Sequence, residues 1–310
     1  MTSWRTIHSA HAHHGWNNTI APVQRIAPGD VVLFETIDAS GGQIAATSDV
    51  SAVQSLDFGR VNPVTGPLFI EGAEPGDAIS VKLIDFAGGT WGWTAIIPGF
   101  GLLAEDFADP FLNLSECDET TVRFAPGIAI PTVPFAGTIG LAPAEPGQHS
   151  VVPPRRVGGN LDLNSLTRGA TLHLPVEVPG GLLSLGDTHA AQGDGEVCGT
   201  AVESRFDVRA RIGLVKDARL GAPHCEFTHD RRRSHDDSKG FYVTTGIGPD
   251  LMQAARDAVR AMIDHLGREY RLAPEMAYAL CSAAVDLRIG EIVDAPNWVV
   301  AAQLPRGIFI

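Results

Sequence analysis

The 310-residue chain has few cysteines and few basic residues, and it contains no long apolar run. Its four cysteines show no CxxC spacing and no obvious pairing, so we expect reduced thiols in the cytoplasm. Lys and Arg total 23 against 36 Asp and Glu, and the net charge of −13 argues against a nucleic-acid partner. No segment is long enough to span a bilayer and no N-terminal stretch resembles a signal peptide, so we expect no membrane partner.

One segment combines charge and glycine in a way that a packed core does not favour. Residues 186–203 read GDTHAAQGDGEVCGTAVE. Charged side chains are rarely buried unless they are paired or bind a metal. Clustered glycines mark tight turns or close approach to a ligand. The segment follows the apolar run 181–185, which predicts a buried strand that ends where the polar cluster begins.

The spacing of the polar residues indicates a site in this segment. Asp187 and His189 are two residues apart and face the same side of an extended chain, so they can provide half of a divalent-metal shell. Glu196 precedes a second strand-like run, 197–202, and a hairpin would return it to the same pocket as a general base. The alternative is an ordinary hairpin whose polar residues stabilise its turn, and the residues alone leave both readings open.

The same string closely resembles the signature of the acetamidase/formamidase family, whose members hydrolyse small aliphatic amides. The likeness is in family order and covers nearly the whole chain. It includes HHGWNNTIAPVQRIAPGDVVLFETIDASGGQ at 13–43, PGFG at 98–101, PFAGTIG at 134–140, GGNLD at 158–162, DLRI at 286–289 and VDAPN at 293–297. The resemblance implies an enzyme that acts on amides.

The resemblance also implies roles for residues outside the signature. His13 matches the family's N-terminal histidine, so the resemblance implies that it binds a metal or contacts the substrate. Asp38 matches the family's Glu-Thr-x-Asp pattern, which implies a metal-binding or catalytic role. Asn160 and Asp162 are two residues apart after a Gly-Gly pair, where they either contact substrate or stabilise a turn. Gln192 and Asn160 are candidates for holding the developing oxyanion.

Two residues of the signature receive other interpretations. Glu203 ends the second strand-like run and could pair with Arg205 at the surface. Cys198 lies in the same apolar run, and we expect a buried packing residue, since a nucleophilic cysteine needs a base and a lowered pKa. The chain also lacks a Gly-x-Ser-x-Gly elbow and the Ser-Ser-Lys set of the amidase-signature enzymes.

Alternating short strands predict an α+β, β-rich fold, mostly antiparallel and sandwich or barrel-like. Helical spacing appears only late, from Asp250 to Leu266 with Gly267 as the cap, and again from Pro274. We expect one unit over 1–310, either undivided or with a β-rich part at 1–210 and an α/β part at 211–310. Residues 45–66 and 104–121 are predicted to be long loops over a site.

We therefore predict a hydrolase that splits a short amide of the formamide or acetamide type into carboxylate and ammonia through a metal-activated water. The predicted metal ligands are His13, Asp38, Asp187, His189 and Glu196. Glu196 and Asp187 are the predicted catalytic residues, and Gln192, Asn160 and Asp162 are the predicted substrate or oxyanion contacts. Zinc is the first choice of metal, with manganese, iron and calcium as alternatives.

Two alternatives to this function stay open. The first is a non-catalytic β-rich binding protein stabilised by calcium in its oxygen-rich turns, against which His189 argues because calcium prefers oxygen ligands. The second is a hydrolase of the same family that acts on another C–N bond, in a lactam or a substituted formamide. In each catalytic case the partner is a small-molecule amide, and we expect a homo-oligomer.

Overall fold

Alternating apolar residues build three β-sheets in the part of the chain that this computed structural model describes, residues 5–227, 239–293 and 295–310. The first sheet is formed, in spatial order, by Arg5–Ile7 (β1), Val31–Phe34 (β4), Phe206–Val215 (β16), Ala78–Gly88 (β6), Thr171–Pro175 (β13) and His224–Glu226 (β17). Strand numbers follow the order of the chain.

The second sheet has eleven described strands and carries the polar signature. Its main path is formed by Ile128–Pro131 (β10), Thr121–Ala125 (β9), Phe111–Cys117 (β8), Trp91–Ile96 (β7), Val202–Glu203 (β15), Leu183–Ala191 (β14), Phe135–Gly140 (β11) and Gly158–Asn160 (β12). Three further strands join this path. Val64–Ile70 (β5) pairs with β14, and Ala12–His13 (β2) and Gln24–Ile26 (β3) each pair with β5.

The third sheet and both long helices come late in the chain. The sheet is formed, in spatial order, by Phe241–Gly248 (β18), Trp298–Pro305 (β20) and Asp286–Glu291 (β19). The helices are Ser51–Gln54 (α1), Leu251–Tyr270 (α2) and Pro274–Ala284 (α3), with 3-10 turns at Ser9–His11, Phe58–Arg60 and Arg306–Ile308. None of the described helices is long and apolar enough to cross a membrane.

The predicted fold class is confirmed, because the described strands pair antiparallel except β1 with β4 and β3 with β5, and the two long helices α2 and α3 lie near the C-terminus. The predicted helix from Pro274 is also confirmed. Helix α2 is longer than predicted. Gly267 lies inside it, and Arg271 ends it in the left-handed conformation, with its N–H donating to the Leu266 carbonyl.

Two predictions of local structure were wrong. Strand β14 runs through Asp187 and His189 instead of ending before them. Of the second run, 197–202, only Val202 lies in a strand, which it forms with Glu203. Residues 104–121 are not one long loop, because β8 occupies their second half. A buried cluster with members from Ile7 to Ile308 connects the sheets and helices, so we propose a single folded unit.

Candidate active site

The middle of β14 holds the two polar residues that the sequence placed on one face. All nine residues of this strand are buried, because β11 pairs with one edge while β15 and β5 pair with the other. Asp187 Oδ1 lies 3.3 Å from His189 Nε2, so the two side chains do meet. The register of β14 and β15 sets Glu203 directly opposite His189.

A glycine on the neighbouring strand makes room for this cluster. A Cβ on Gly137 of β11 would lie 2.5 Å from Asp162 Oδ1 and 2.8 Å from His189 Cε1, closer than real contacts allow. Any other residue at this position would push the carboxylate and the imidazole apart. Gly137 therefore lets the loop after β12 bring Asp162 up to His189.

Gln192 fixes the proton on the His189 ring. Its side-chain Nε2 donates to the Asp162 carbonyl at 2.8 Å, which leaves its Oε1 2.9 Å from His189 Nδ1. An amide oxygen can only accept, so Nδ1 carries the hydrogen. Nε2 of the neutral ring then presents a lone pair to Asp187 Oδ1 and to Glu203 Oε2, which lies 3.1 Å away without hydrogen-bond geometry. Such an arrangement is repulsive until a proton or a cation lies between these atoms.

The carboxylates on either side of Nε2 are held by their own partners. Asp187 Oδ2 accepts a hydrogen bond from Asn62 Nδ2 at 3.0 Å. It also lies 3.0 Å from the Thr138 hydroxyl, whose shorter contact is with Asn160 Oδ1. Glu203 Oε1 accepts from the Ala201 N–H at 2.9 Å. In each case one oxygen is tied to the protein and the other is left to face the imidazole.

Two more carboxylates complete the cluster from loops. One group of potential ligand atoms is formed by Asp162, His189 and Glu196, and a second is formed by Asp187, His189 and Glu203, with the atoms of each group within 4.8 Å of one another. His189 belongs to both groups. Asp162 Oδ1 is buried and accepts no hydrogen bond from the described residues.

The backbone at this cluster is strained. Asn62, Asp162, Asp187 and Glu196 have φ between 43° and 52°, in the left-handed region that favours glycine. They are four of the eight described non-glycine residues with positive φ. Left-handed backbone of this kind costs about 1–3 kcal/mol per residue and gathers at functional sites.

Burial and mutual repulsion raise the pKa values of Asp162 and Glu196. Burial, and then the Asp187 carboxylate, raise the pKa of Asp162 to about 7. Burial, and then Asp162, raise the pKa of Glu196 well above its ordinary value. Burial alone would lower the pKa of His189, but the Glu203 and Asp187 carboxylates raise it well above 6.5. Several acids that share one desolvated space would be stabilised by a positive charge among them.

The four carboxylates of the cluster line a cavity of about 270 Å³. Its polar lining residues are Asn62, Asn160, Asp162, Asp187, Glu196, Thr200 and Glu203. The rest of the wall is mostly apolar and includes Trp93 and Phe100. The loop predicted at 45–66 contributes Phe58 and Asn62 to it.

The structure does not bring His13 and Asp38 to the cluster. His13 Nε2 lies 2.9 Å from Ser184 Oγ, and its Nδ1 lies 2.8 Å from the Gly15 carbonyl, so both ring nitrogens are engaged by the protein. Asp38 accepts hydrogen bonds from Ser40 Oγ at 2.7 Å and from the Gly42 N–H at 2.9 Å. Asp38 therefore supports the turn that follows it, and neither His13 nor Asp38 belongs to the groups of potential metal ligands.

Glu203 is the residue that the sequence interpretation misplaced. It is 3% exposed and faces His189, whereas Arg205 pairs with Asp207. Gln192 was expected at the oxyanion, but both ends of its amide are occupied in orienting His189. Asn160, which accepts from Thr138 Oγ1 at 2.7 Å, does line the cavity.

Cys198 lies in the loop before β15 and not in a strand. It is fully buried, and its Sγ lies 3.4 Å from the Ala95 carbonyl. Burial raises the pKa of its thiol. A neutral buried thiol is a packing residue, as the sequence predicted, and it is a poor nucleophile.

The donor set fits a divalent metal. An imidazole nitrogen and carboxylate oxygens are ligands that zinc, manganese and iron share, and an oriented Nδ1–H partner such as Gln192 is the usual support of a metal-binding histidine. Asp162 Oδ1, a buried acceptor to which no described residue donates a hydrogen bond, also favours a bound cation. Calcium would not favour the central imidazole.

A buried histidine among carboxylates that line a mostly apolar cavity can support hydrolysis. The profile of the Acetamidase/Formamidase family matches residues 3–151 and 144–310, so the chain belongs to this family and is an amide hydrolase. A formamidase from Methylophilus methylotrophus is 27% identical over 96% of this chain and 89% of its own. The alternative of a non-catalytic calcium-binding protein is thereby set aside.

Two solved structures are similar in fold. The gamma lactamase from Delftia acidovorans matches with a TM-score of 0.90 and 26% identity, over 97% of this chain and 90% of its own. The acetamidase from Bacillus halodurans matches with a TM-score of 0.68 and 32% identity, over 96% of each chain.

Proposed function

We propose that this chain is a metal-assisted hydrolase that cleaves the C–N bond of an amide into a carboxylate and ammonia. The observation that carries this proposal is the orientation of His189, whose Nε2 lone pair is directed by Gln192 toward the carboxylates of Asp187 and Glu203. Those three side chains would hold a divalent cation, for which zinc is the first choice. Such a cation would polarise the amide carbonyl and lower the pKa of water.

The side chains of the cavity supply the remaining chemistry. Glu196 lines the cavity, and burial together with the Asp162 carboxylate raises its pKa, which makes its carboxylate a stronger base. This carboxylate can take a proton from the attacking water and deliver it to the leaving nitrogen. Asp162 faces the same space and can hold a second proton. Asn160 offers its amide to orient the substrate. The apolar wall excludes bulk water, which strengthens these electrostatic interactions.

The proposal is tested by metal content and ammonia release together. The purified protein should release ammonia from formamide or acetamide, lose this activity with its metal on chelation, and regain both when zinc or manganese is added. Asp187→Asn and Glu203→Gln should each lose bound metal. Asp38→Asn is the matched control, because it neutralises a buried carboxylate outside the cluster and should keep the metal. Full activity after complete removal of metal would overturn the proposal.

A lactam is the second candidate substrate. The fold agrees more closely with the gamma lactamase than with the Bacillus acetamidase, although the sequence identity to the lactamase is lower. Ring opening of a lactam leaves the amine on the product, so ammonia assays miss it. Amine formation from a γ-lactam, measured beside ammonia release from acetamide, distinguishes the two candidates.

A further inference from the structure

The cavity is larger than a short aliphatic amide requires. Its volume is about 270 Å³. Acetamide has only four non-hydrogen atoms, and at about 30 Å³ for each, the share that a water molecule takes in the liquid, it would fill less than half of this space. On the same scale about 150 Å³ remains, close to the roughly 180 Å³ of one six-membered ring, so one ring is the largest apolar part that the cavity can hold.

The surplus space is apolar and deep. Ala39, Val61, Trp93 and Ile97 line the cavity and are themselves buried. Trp93 is anchored through its indole Nε1, which donates to Asp38 Oδ2 at 3.3 Å, so its ring is held as a wall. Buried apolar walls hold no partner for a polar substrate group, and they favour an apolar one.

The mouth of the cavity is aromatic. Phe58 is 54% exposed and Phe100 is 39% exposed, and both line the cavity. Phe100 is fixed against the signature loop, since a Cβ on Gly199 would lie 2.4 Å from its ring. Single exposed aromatic residues are common, but two at the opening of one apolar cavity offer a surface that a ligand can cover.

We infer that the preferred substrate is an amide whose apolar part is about the size of one ring, bound with its C–N bond at the carboxylate cluster and its apolar part against Trp93 and Phe58. This inference rests on the proposed amide hydrolysis and assigns its substrate class. The polar lining residues are already assigned to binding and cleaving the amide. The apolar lining residues therefore determine which substrates are preferred.

The test compares kcat/KM for acetamide and phenylacetamide with the metal-loaded protein. One apolar group in a matching pocket changes kcat/KM by about 10- to 200-fold, so phenylacetamide should exceed acetamide by at least about tenfold. Equal or lower efficiency with phenylacetamide, in a protein that hydrolyses acetamide, overturns the substrate class and leaves the amide hydrolysis standing. Absence of hydrolysis with every amide and lactam overturns both.

Variants locate the preference in this cavity. Phe58→Ala should lower the ratio of kcat/KM for phenylacetamide over acetamide by about tenfold, mainly through KM. Phe241→Ala is the control, because it also removes an exposed phenyl group, 48% exposed, but from strand β18 away from the cavity wall. If Phe58→Ala fails to fold, Phe100→Ala gives the same comparison at the same mouth. An unchanged ratio in a folded mouth variant overturns the inference.

Discussion

The metal-free protein should lose stability as the pH rises, because its buried acids hold their protons more tightly when folded than when unfolded. The pKa of Asp162 rises from 3.8 to about 7 on folding. A raised folded-state pKa contributes stability that is fully present below about pH 4 and is lost as the pH passes through about 7. The pKa values of Glu196, Glu203 and His189 are also raised, so all four groups act with the same sign.

The magnitude follows from Asp162. At about 1.4 kcal/mol per pH unit, ionising this buried carboxyl in the folded protein costs at most on the order of 4 kcal/mol. This free-energy cost is an upper limit, because Asp162 lines the cavity and solvent there can stabilise its charge. Asp162→Asn removes the titrating group and keeps the shape. The chelated variant should therefore be more stable than the chelated wild type at pH 8, and no more stable at pH 4.

Urea unfolding of both proteins at pH 4, 6 and 8 in chelator measures this difference. Asp118→Asn is a control of opposite sign, because hydrogen bonds from the Thr120 N–H and hydroxyl lower the pKa of Asp118 to about 2. That variant should lose stability at pH 8. Added zinc should stabilise the wild type more at pH 8 than at pH 4, since metal competes with protons for the ligands. Equal stability of chelated wild type at pH 4 and pH 8 would refute the reasoning.

Three further outcomes are expected from the geometry. Glu196→Gln should retain metal and bind substrate but turn over about a hundred- to ten-thousand-fold more slowly, with a changed rising limb in its pH–rate profile, and near-normal turnover would remove Glu196 from the mechanism. Cys198→Ser should keep most of its turnover and lose stability, and a thousandfold drop in turnover at unchanged melting temperature would instead indicate covalent catalysis. Gln192→Leu should weaken metal binding by about 10- to 100-fold in a dialysis titration, since it frees the His189 ring, and an unchanged affinity would contradict this orienting role.

Periodicity predicted the fold class because the fold class depends on how apolar and polar residues alternate, and in this chain they alternate clearly. It also placed Asp187 and His189 together, since two residues apart in a strand share a face. It could not predict register. A loop of ten residues between β14 and β15 brings Glu203, and not only Glu196, back to His189. The same register explains why Glu203 is a buried neighbour of the imidazole instead of a surface partner of Arg205.

The resemblance identified residues that matter to the structure without separating ligands from supports. Asp38 anchors Trp93 and its own turn, and His13 contacts Ser184 on β14, three residues before Asp187. Both therefore act on elements of the site without reaching its centre. Distinguishing a ligand from such a support needs the distance between side chains, which a sequence pattern does not contain. Cytoplasmic location and homo-oligomeric assembly stay predictions of the sequence.

Strain and charge at this site have a common physical meaning. The cluster combines left-handed backbone at Asp162, Asp187 and Glu196 with carboxyl groups of raised pKa, and each feature alone opposes folding. They persist because β14 is paired on both edges and buried along its whole length, so the sheet fixes the positions of His189 and Asp187. A cation bound among these acids would offset the charge repulsion but not the backbone strain. The strain must therefore be carried by the packing of the second sheet, which is why the acids converge on its central strand and not on an exposed edge.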